Sequence, residues 1–158
     1  MKKNIHEWLN EYGESHQNPT NKMIHWFCVP AITFTLLGLL SLLNFQFTIN
    51  NGTYNINPAG ILIIIAVIFY LNLSKSLTIG MFLFSTTCLY IIKNLELKYL
   101  HKELFTYYII LFIVAWIGQF IGHKIEGKKP SFLKDIQFLL IGPAWLLSFI
   151  YKKINIKI

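Results

Sequence analysis

The chain has 158 residues, of which 54% are hydrophobic and 13% charged, against roughly a quarter charged in an average soluble domain; its mean hydropathy is +0.51. That composition excludes an ordinary soluble domain and describes a small integral membrane protein. The excess of 14 Lys and Arg over 7 Asp and Glu does not indicate nucleic acid, because the basic residues stand at the ends of apolar runs, where they set topology and meet lipid headgroups, and no nucleic-acid-binding motif is present.

Residues 1–18 carry Lys2 and Lys3 but lack the short apolar core of a cleaved signal, so this segment is expected to persist in the mature protein. Ile5, Trp8, Leu9 and Tyr12 recur at helical spacing opposite Lys3, Glu7, Asn10 and Glu11, which predicts an interfacial helix on the membrane surface, closed by Gly13. Asn18-Pro19 is a helix-start signal, and a first span is expected over 19–45, with Pro30 inside it. Residues 46–57 carry no charge and are rich in turn formers, so a loop is expected there, and the positive-inside rule places the N-terminus in the cytoplasm.

Two shorter apolar runs, 59–73 and 77–92, are hinged at Ser74-Lys75-Ser76. A mixed-charge loop over 93–103 leads to a fourth run, 104–122, which ends beside Lys124, Lys128, Lys129 and Lys134. The last run, 136–151, is interrupted by Gly142-Pro143 and followed by Lys152, Lys153 and Lys157. If it spanned, that basic tail would lie outside, so a re-entrant or interfacial helix is expected. The fold class is thus an all-α integral membrane protein, one domain over 1–158, with about four transmembrane helices, an N-terminal interfacial helix and a C-terminal re-entrant or broken helix. Cys28 and Cys88 lie inside apolar runs without metal or redox spacing and are expected to be small buried residues.

The topology brings the start of the first span and the end of the fourth to one membrane face. His16 and His25 flank Asn18-Pro19, and the break at Pro19 allows His16 to fold back toward His25, which a continuous helix would forbid at nine residues' separation. On the fourth span Trp116, Gln119, Phe120 and His123 share a stripe, continued by Glu126, while Gly118 and Gly122 form a small-residue pair that admits a close helix neighbour. Three imidazoles converging at the bilayer edge suit a non-haem iron site with positions left open for oxygen and substrate. Asn21, Gln119 and Glu126 stand where outer hydrogen bonds or a further ligand would come from. Two other readings stay open: a haem protein with histidine axial ligands, and a non-catalytic scaffold whose histidines cap and cross-link helices. Lys128 and Lys129 could attract a substrate carboxylate, although stop-transfer and headgroup roles account for them more simply. His6 is expected to be solvated and His101 to lie on the far side.

The blocks YGESHQNPTNKMIHWFCVP (12–30) and WIGQFIGHKIEGKKPSFLKDIQFLLIGPAW (116–145) resemble the two signature blocks of the membrane 2-hydroxy fatty acid dioxygenases of fatty acid α-oxidation. The H-x-x-P-x-N-x-x-x-H and Q-F-x-G-H runs are specific in combination, and His16, Pro19, Asn21, His25, Gln119, His123 and Pro130 match position by position. The resemblance implies an Fe(II) enzyme of the bacterial inner membrane that uses O2 to shorten a long-chain 2-hydroxy fatty acid by one carbon, yielding a fatty aldehyde, with His16, His25 and His123 as iron ligands and membrane lipid as its surroundings.

Overall fold

The computed structural model describes residues 3–49 and 52–158; Lys2, part of the topology signal, lies outside them. Helix α1 spans Ile5–Glu14 and opens with a capping box: Asn4 Oδ1 accepts from Glu7 N at 3.0 Å and the Glu7 carboxylate accepts from Asn4 N at 2.7 Å, so two otherwise orphaned donors are satisfied reciprocally. Its apolar residues Ile5, Trp8 and Tyr12 are buried. They pack on protein rather than on lipid headgroups, with the Trp8 ring 5.1 Å and the Tyr12 ring 6.0 Å from Phe138. Gly13 does not end this helix as its residue type suggests. It stays helical, and the glycine in left-handed conformation is Gly127 (φ 73°), which closes α5.

Helix α2 spans Pro19–Leu42, with Asn18 Oδ1 accepting from Thr20 N at 2.9 Å. A hairpin follows, β1 Phe45–Ile49 antiparallel to β2 Gly52–Ile56, with Phe45 opposite Ile56 and Ile49 opposite Gly52. The expected loop is therefore a small sheet in an otherwise helical chain: aromatic and β-branched residues on either side of the turn formers favour strands, while Asn50 and Asn51 lie outside the described residues. Next come α3 Pro58–Leu71, α4 Lys75–Glu96, α5 His101–Glu126, a 3₁₀ turn at Ser131–Leu133, and α6 Phe138–Lys153.

Helices α2, α4 and α5, with 24, 22 and 26 residues, are long and apolar enough to cross a membrane. Helix α3 has 14 residues, about 21 Å, short of a hydrocarbon core of about 30 Å; it is the one expected span below membrane-spanning length. The chain still runs along the bundle four times in alternating directions. At one end Ser41 Oγ donates to Glu96 Oε1 at 2.7 Å and Asn57 Nδ2 reaches Asn44 Oδ1 at 3.3 Å, tying the end of α2, the start of α3 and the end of α4 together. At the other end α6 packs across the α3–α4 turn. Tyr70 Oη donates to Leu140 O at 2.6 Å and Tyr151 Oη to Ser76 O at 2.8 Å, so both halves of α6 stay at that end, as a helix that does not cross would. Pro143 does not break α6. It removes the helical bond to the Leu139 carbonyl, and the Tyr70 hydroxyl donates to the next one along, Leu140 O.

Helices α2 and α5 form the close pair that places the site. A Cβ built on Gly118 would meet Cys28 Sγ at 2.6 Å, and one on Gly122 would run into Asn21 Oδ1, so the small-residue pair lets the two backbones approach. Cys28 and Cys88 are free thiols. The Gly118→Val protein is expected to lose about 1–3 kcal/mol by overpacking, read as a lower melting temperature in detergent. Gly60→Ala, whose Cβ would meet nothing within 4 Å, should melt no lower than wild type, since alanine is the better helix former.

Candidate metal centre

Three histidines from three separate segments meet at the α6 end of the bundle. His16 lies in the turn between α1 and α2, His25 on α2 and His123 on α5, with exposures of 0%, 0% and 5%. Their ligand-capable atoms all fall within 4.8 Å of one another, and the ring centroids are 4.3, 4.9 and 5.0 Å apart with each pair close to perpendicular. The break at Asn18-Pro19 does what its sequence suggests, turning His16 back onto His25.

The hydrogen bonds fix the tautomers. His16 Nδ1 lies 2.6 Å from Tyr12 O and His25 Nδ1 lies 2.9 Å from Asn21 O. A carbonyl only accepts, so each Nδ1 carries the proton and each Nε2 is left with a bare lone pair. Ser15 Oγ, 3.3 Å from His16 Nδ1, is engaged with Ser131 Oγ at 2.6 Å. The two bare Nε2 atoms face each other at 2.9 Å. Neutral rings in that arrangement repel, and a proton between them would bury an imidazolium. A cation accepting both lone pairs removes the conflict.

The spacing suits one. Nitrogens about 2.1 Å from a shared first-row metal stand about 3.0 Å apart at neighbouring octahedral positions. His123 adds a buried Nδ1 with no hydrogen-bond partner. The residues present therefore fit a metal ion of imidazole preference, with His16, His25 and His123 to hold it and further positions left for small ligands.

Burial, and secondarily the neighbouring His25, lowers the His16 pKa from 6.5 to about 3. In metal-free protein an unfolded chain takes up this proton near pH 6.5 and the folded chain only near 3. Between those values the unfolded state binds more protons, so this contribution to stability is complete above about pH 6.5 and is lost progressively as pH falls. Melting of metal-free protein in detergent between pH 7 and 4 should show a steady fall in midpoint; a flat profile would mean that His16 is not held neutral by the fold.

Glu126, the last residue of α5, clasps the His16 segment. Its Oε1 accepts from Gln17 N at 2.8 Å, and its Oε2 accepts from Asn18 N at 2.8 Å and Asn21 Nδ2 at 3.0 Å. Asn21, 0% exposed, also donates to Ser15 O at 3.2 Å and so joins both sides of the turn. Helix α1 is held down in parallel by Lys128 Nζ donating to Glu14 O at 2.6 Å and by Glu11, paired with Lys134 and with Lys3.

Of the residues singled out in the sequence, Gln119 joins the histidines as a buried neighbour, and Asn21 and Glu126 stand one layer outside them. Lys128 and Lys129 line a separate open groove of about 460 Å³ with Glu11, Glu14 and Lys134. The stripe on α5 divides: Gln119 and His123 turn inward while Phe120 is 51% exposed, because adjacent helical residues point 100° apart. His101 opens α5 at the opposite end, about 33 Å from His123 at 1.5 Å per residue, and His6 is exposed. The sequence did not single out Tyr12, whose ring stacks on His16 at 4.1 Å, nor Ser15, Ser131 and Trp145, whose ring lies 5.2 Å from His16. The one available signal was spacing, since Tyr12 and Asn21 each precede their histidine by four residues.

A helical chain with spans of membrane-crossing length and, at one end of its bundle, a buried three-histidine group of the kind that could hold a metal ion defines a class of membrane protein. This chain belongs to the Mpo1-like family, described as 2-hydroxy-palmitic acid dioxygenase Mpo1-like, which it matches over residues 2–154. It is similar to the 2-hydroxy-palmitic acid dioxygenase MPO1 of Saccharomyces cerevisiae (strain ATCC 204508 / S288c), at 27% identity over 149 residues that cover 91% of this chain and 78% of the yeast protein. No solved structure matches the chain.

Proposed function

We propose that this chain is a non-haem Fe(II)-dependent dioxygenase that converts long-chain 2-hydroxy fatty acids to fatty aldehydes one carbon shorter at the cytoplasmic edge of the membrane. Family membership and the yeast relative's activity support the substrate class. The observation that carries the iron is the pair of bare Nε2 atoms of His16 and His25 at 2.9 Å. Three neutral imidazoles bring no charge of their own, so a divalent ion held by them keeps its attraction for an anionic chelator. A 2-hydroxy acid offers its carboxylate and hydroxyl as two oxygens at chelating distance. Bound there, Fe(II) would supply the redox chemistry that lets O2 react with an otherwise unreactive acid.

The chain's own residues set the conditions. Tyr12 O and Asn21 O hold two rings in the tautomer that presents a lone pair, the Tyr12 and Trp145 rings cover His16, and on this reading the substrate's polar head reaches the histidines while its alkyl chain stays among the apolar helices. Lys22, Lys124, Lys128, Lys129 and Lys134 gather at this same end, which supports a cytoplasmic side for it and for the N-terminus.

The other two readings fit less well. Axial haem ligands on opposite faces of a porphyrin stand about 4 Å apart, twice a metal–nitrogen bond of about 2 Å, and the 2.9 Å between the His16 and His25 Nε2 atoms leaves no plane between that pair. A purely structural set of histidines would pair donors with acceptors instead of opposing two acceptors. Detergent-purified protein loaded with Fe(II) should hold about one iron per chain, show no Soret band and consume O2 with 2-hydroxypalmitate. A Soret band would make it a haem protein, and failure of iron-loaded protein to act on any 2-hydroxy acid would overturn the reading.

A further inference from the structure

Gln119, beside His123, is a buried side chain whose amide nitrogen its surroundings leave without a partner, as they do Asn21 Oδ1 and His123 Nδ1. It is 6% exposed, and its Nε2 makes no hydrogen bond. An unpaired buried amide is costly and rare in folded proteins, so its place next to a reactive centre calls for a ligand that completes it. It stands one helical turn before His123 on α5, and both residues line a cavity of about 50 Å³ whose other walls include Val29, Ile32, Trp116 and Leu139.

The size of that cavity limits its occupant. At about 10–15 Å³ per water in this measure, it takes a few non-hydrogen atoms: a carboxylate with its α-carbon and hydroxyl, not a long alkyl chain. Leu139 is a wall of the cavity and is also 43% exposed, so at that wall a single side chain separates the cavity from the outer surface of the helices.

Resting on the dioxygenase reading above, we infer that Gln119 binds the substrate head, its Nε2 hydrogens donating to the carboxylate or C2 oxygen of the 2-hydroxy acid seated beside His123, while the alkyl chain passes Leu139 into the bilayer. The enzyme then reads the polar end of its substrate and leaves the length of the tail unmeasured.

The test compares wild type with Gln119→Met, which keeps the side-chain length and loses the donors, in vesicles containing 2-hydroxypalmitate. Iron content should equal that of wild type while KM rises about 10- to 100-fold, the loss expected for a hydrogen bond to a charged group. Unchanged KM at full iron would overturn the assignment, and loss of iron would make Gln119 a support of the metal instead. A second measurement uses wild type alone: 2-hydroxy acids of twelve, sixteen and twenty carbons, at equal concentration in the vesicle, should give the same kcat/KM. A sharp optimum at one length would place the tail inside the protein and sink the proposal. If iron-loaded wild type turns over none of these acids, the dioxygenase reading itself falls and this inference with it; an active wild type with an unaffected Gln119→Met removes only the latter.

Discussion

The His25→Ala protein is expected to emerge from purification without stoichiometric iron and with turnover lowered by more than the roughly 10- to 100-fold that loss of an outer hydrogen-bond partner costs a metal site. His25 is 0% exposed and supplies one of the two lone pairs that oppose each other at 2.9 Å. Removing it deletes a ligand and leaves His16 and His123 with a void in place of the third ring. Excess Fe(II) should not restore the site. His16→Ala and His123→Ala should behave alike, because each ring comes from a different segment and none duplicates another. His101→Ala is the matched control: the same substitution about 33 Å away along α5 should leave iron and turnover at wild-type values. Metal analysis of the four variants decides the matter, and full iron in all three centre variants would remove the ligand assignment.

The centre was legible in the sequence to the extent that it depends on helix ends. Asn18-Pro19 starts a new helix after α1 has ended at Glu14, so two histidines nine residues apart can meet. Gly118 and Gly122 signal a close helix neighbour, and the structure supplies α2. What the sequence could not show is the layer that gives the histidines their chemistry. The Tyr12 and Asn21 carbonyls that fix the tautomers belong to the backbone and leave no mark on residue type. Tyr12 read as part of an apolar face, and it is one; that this face packs on α6, with the same ring over His16, depends on tertiary contact. The 45–56 segment was obscured for a local reason, since Asn and Gly between two short runs of aromatic and β-branched residues satisfy a loop and a hairpin equally. Glycine at position 13 read as a stop because glycine often is one, yet only a positive φ requires it, and that occurs at Gly127.

Glu126 offers the second large effect, of a different kind. Its carboxylate accepts three hydrogen bonds from Gln17 N, Asn18 N and Asn21 Nδ2, two of them from amides at the start of α2, where negative charge is favoured by the helix dipole. Bonds to a charged acceptor contribute about 1.5–3 kcal/mol each, so this one side chain does much to keep the His16 segment closed over His25. It is not one of the three ring donors of the centre. Glu126→Ala should therefore leave His25 and His123 in place and loosen His16, lowering iron affinity by about 10- to 100-fold, the range for groups that orient ligands. Iron lost during dialysis should return at higher Fe(II), with turnover recovering alongside it, which distinguishes this variant from His25→Ala. Glu126→Gln should fall between the two proteins, since an amide oxygen still accepts from the backbone but lacks the charge. Iron titrations of the wild type and both variants make the comparison; equal affinities for all three would mean that His16 is held by α1 alone, through Lys128 on Glu14 and Lys134 on Glu11.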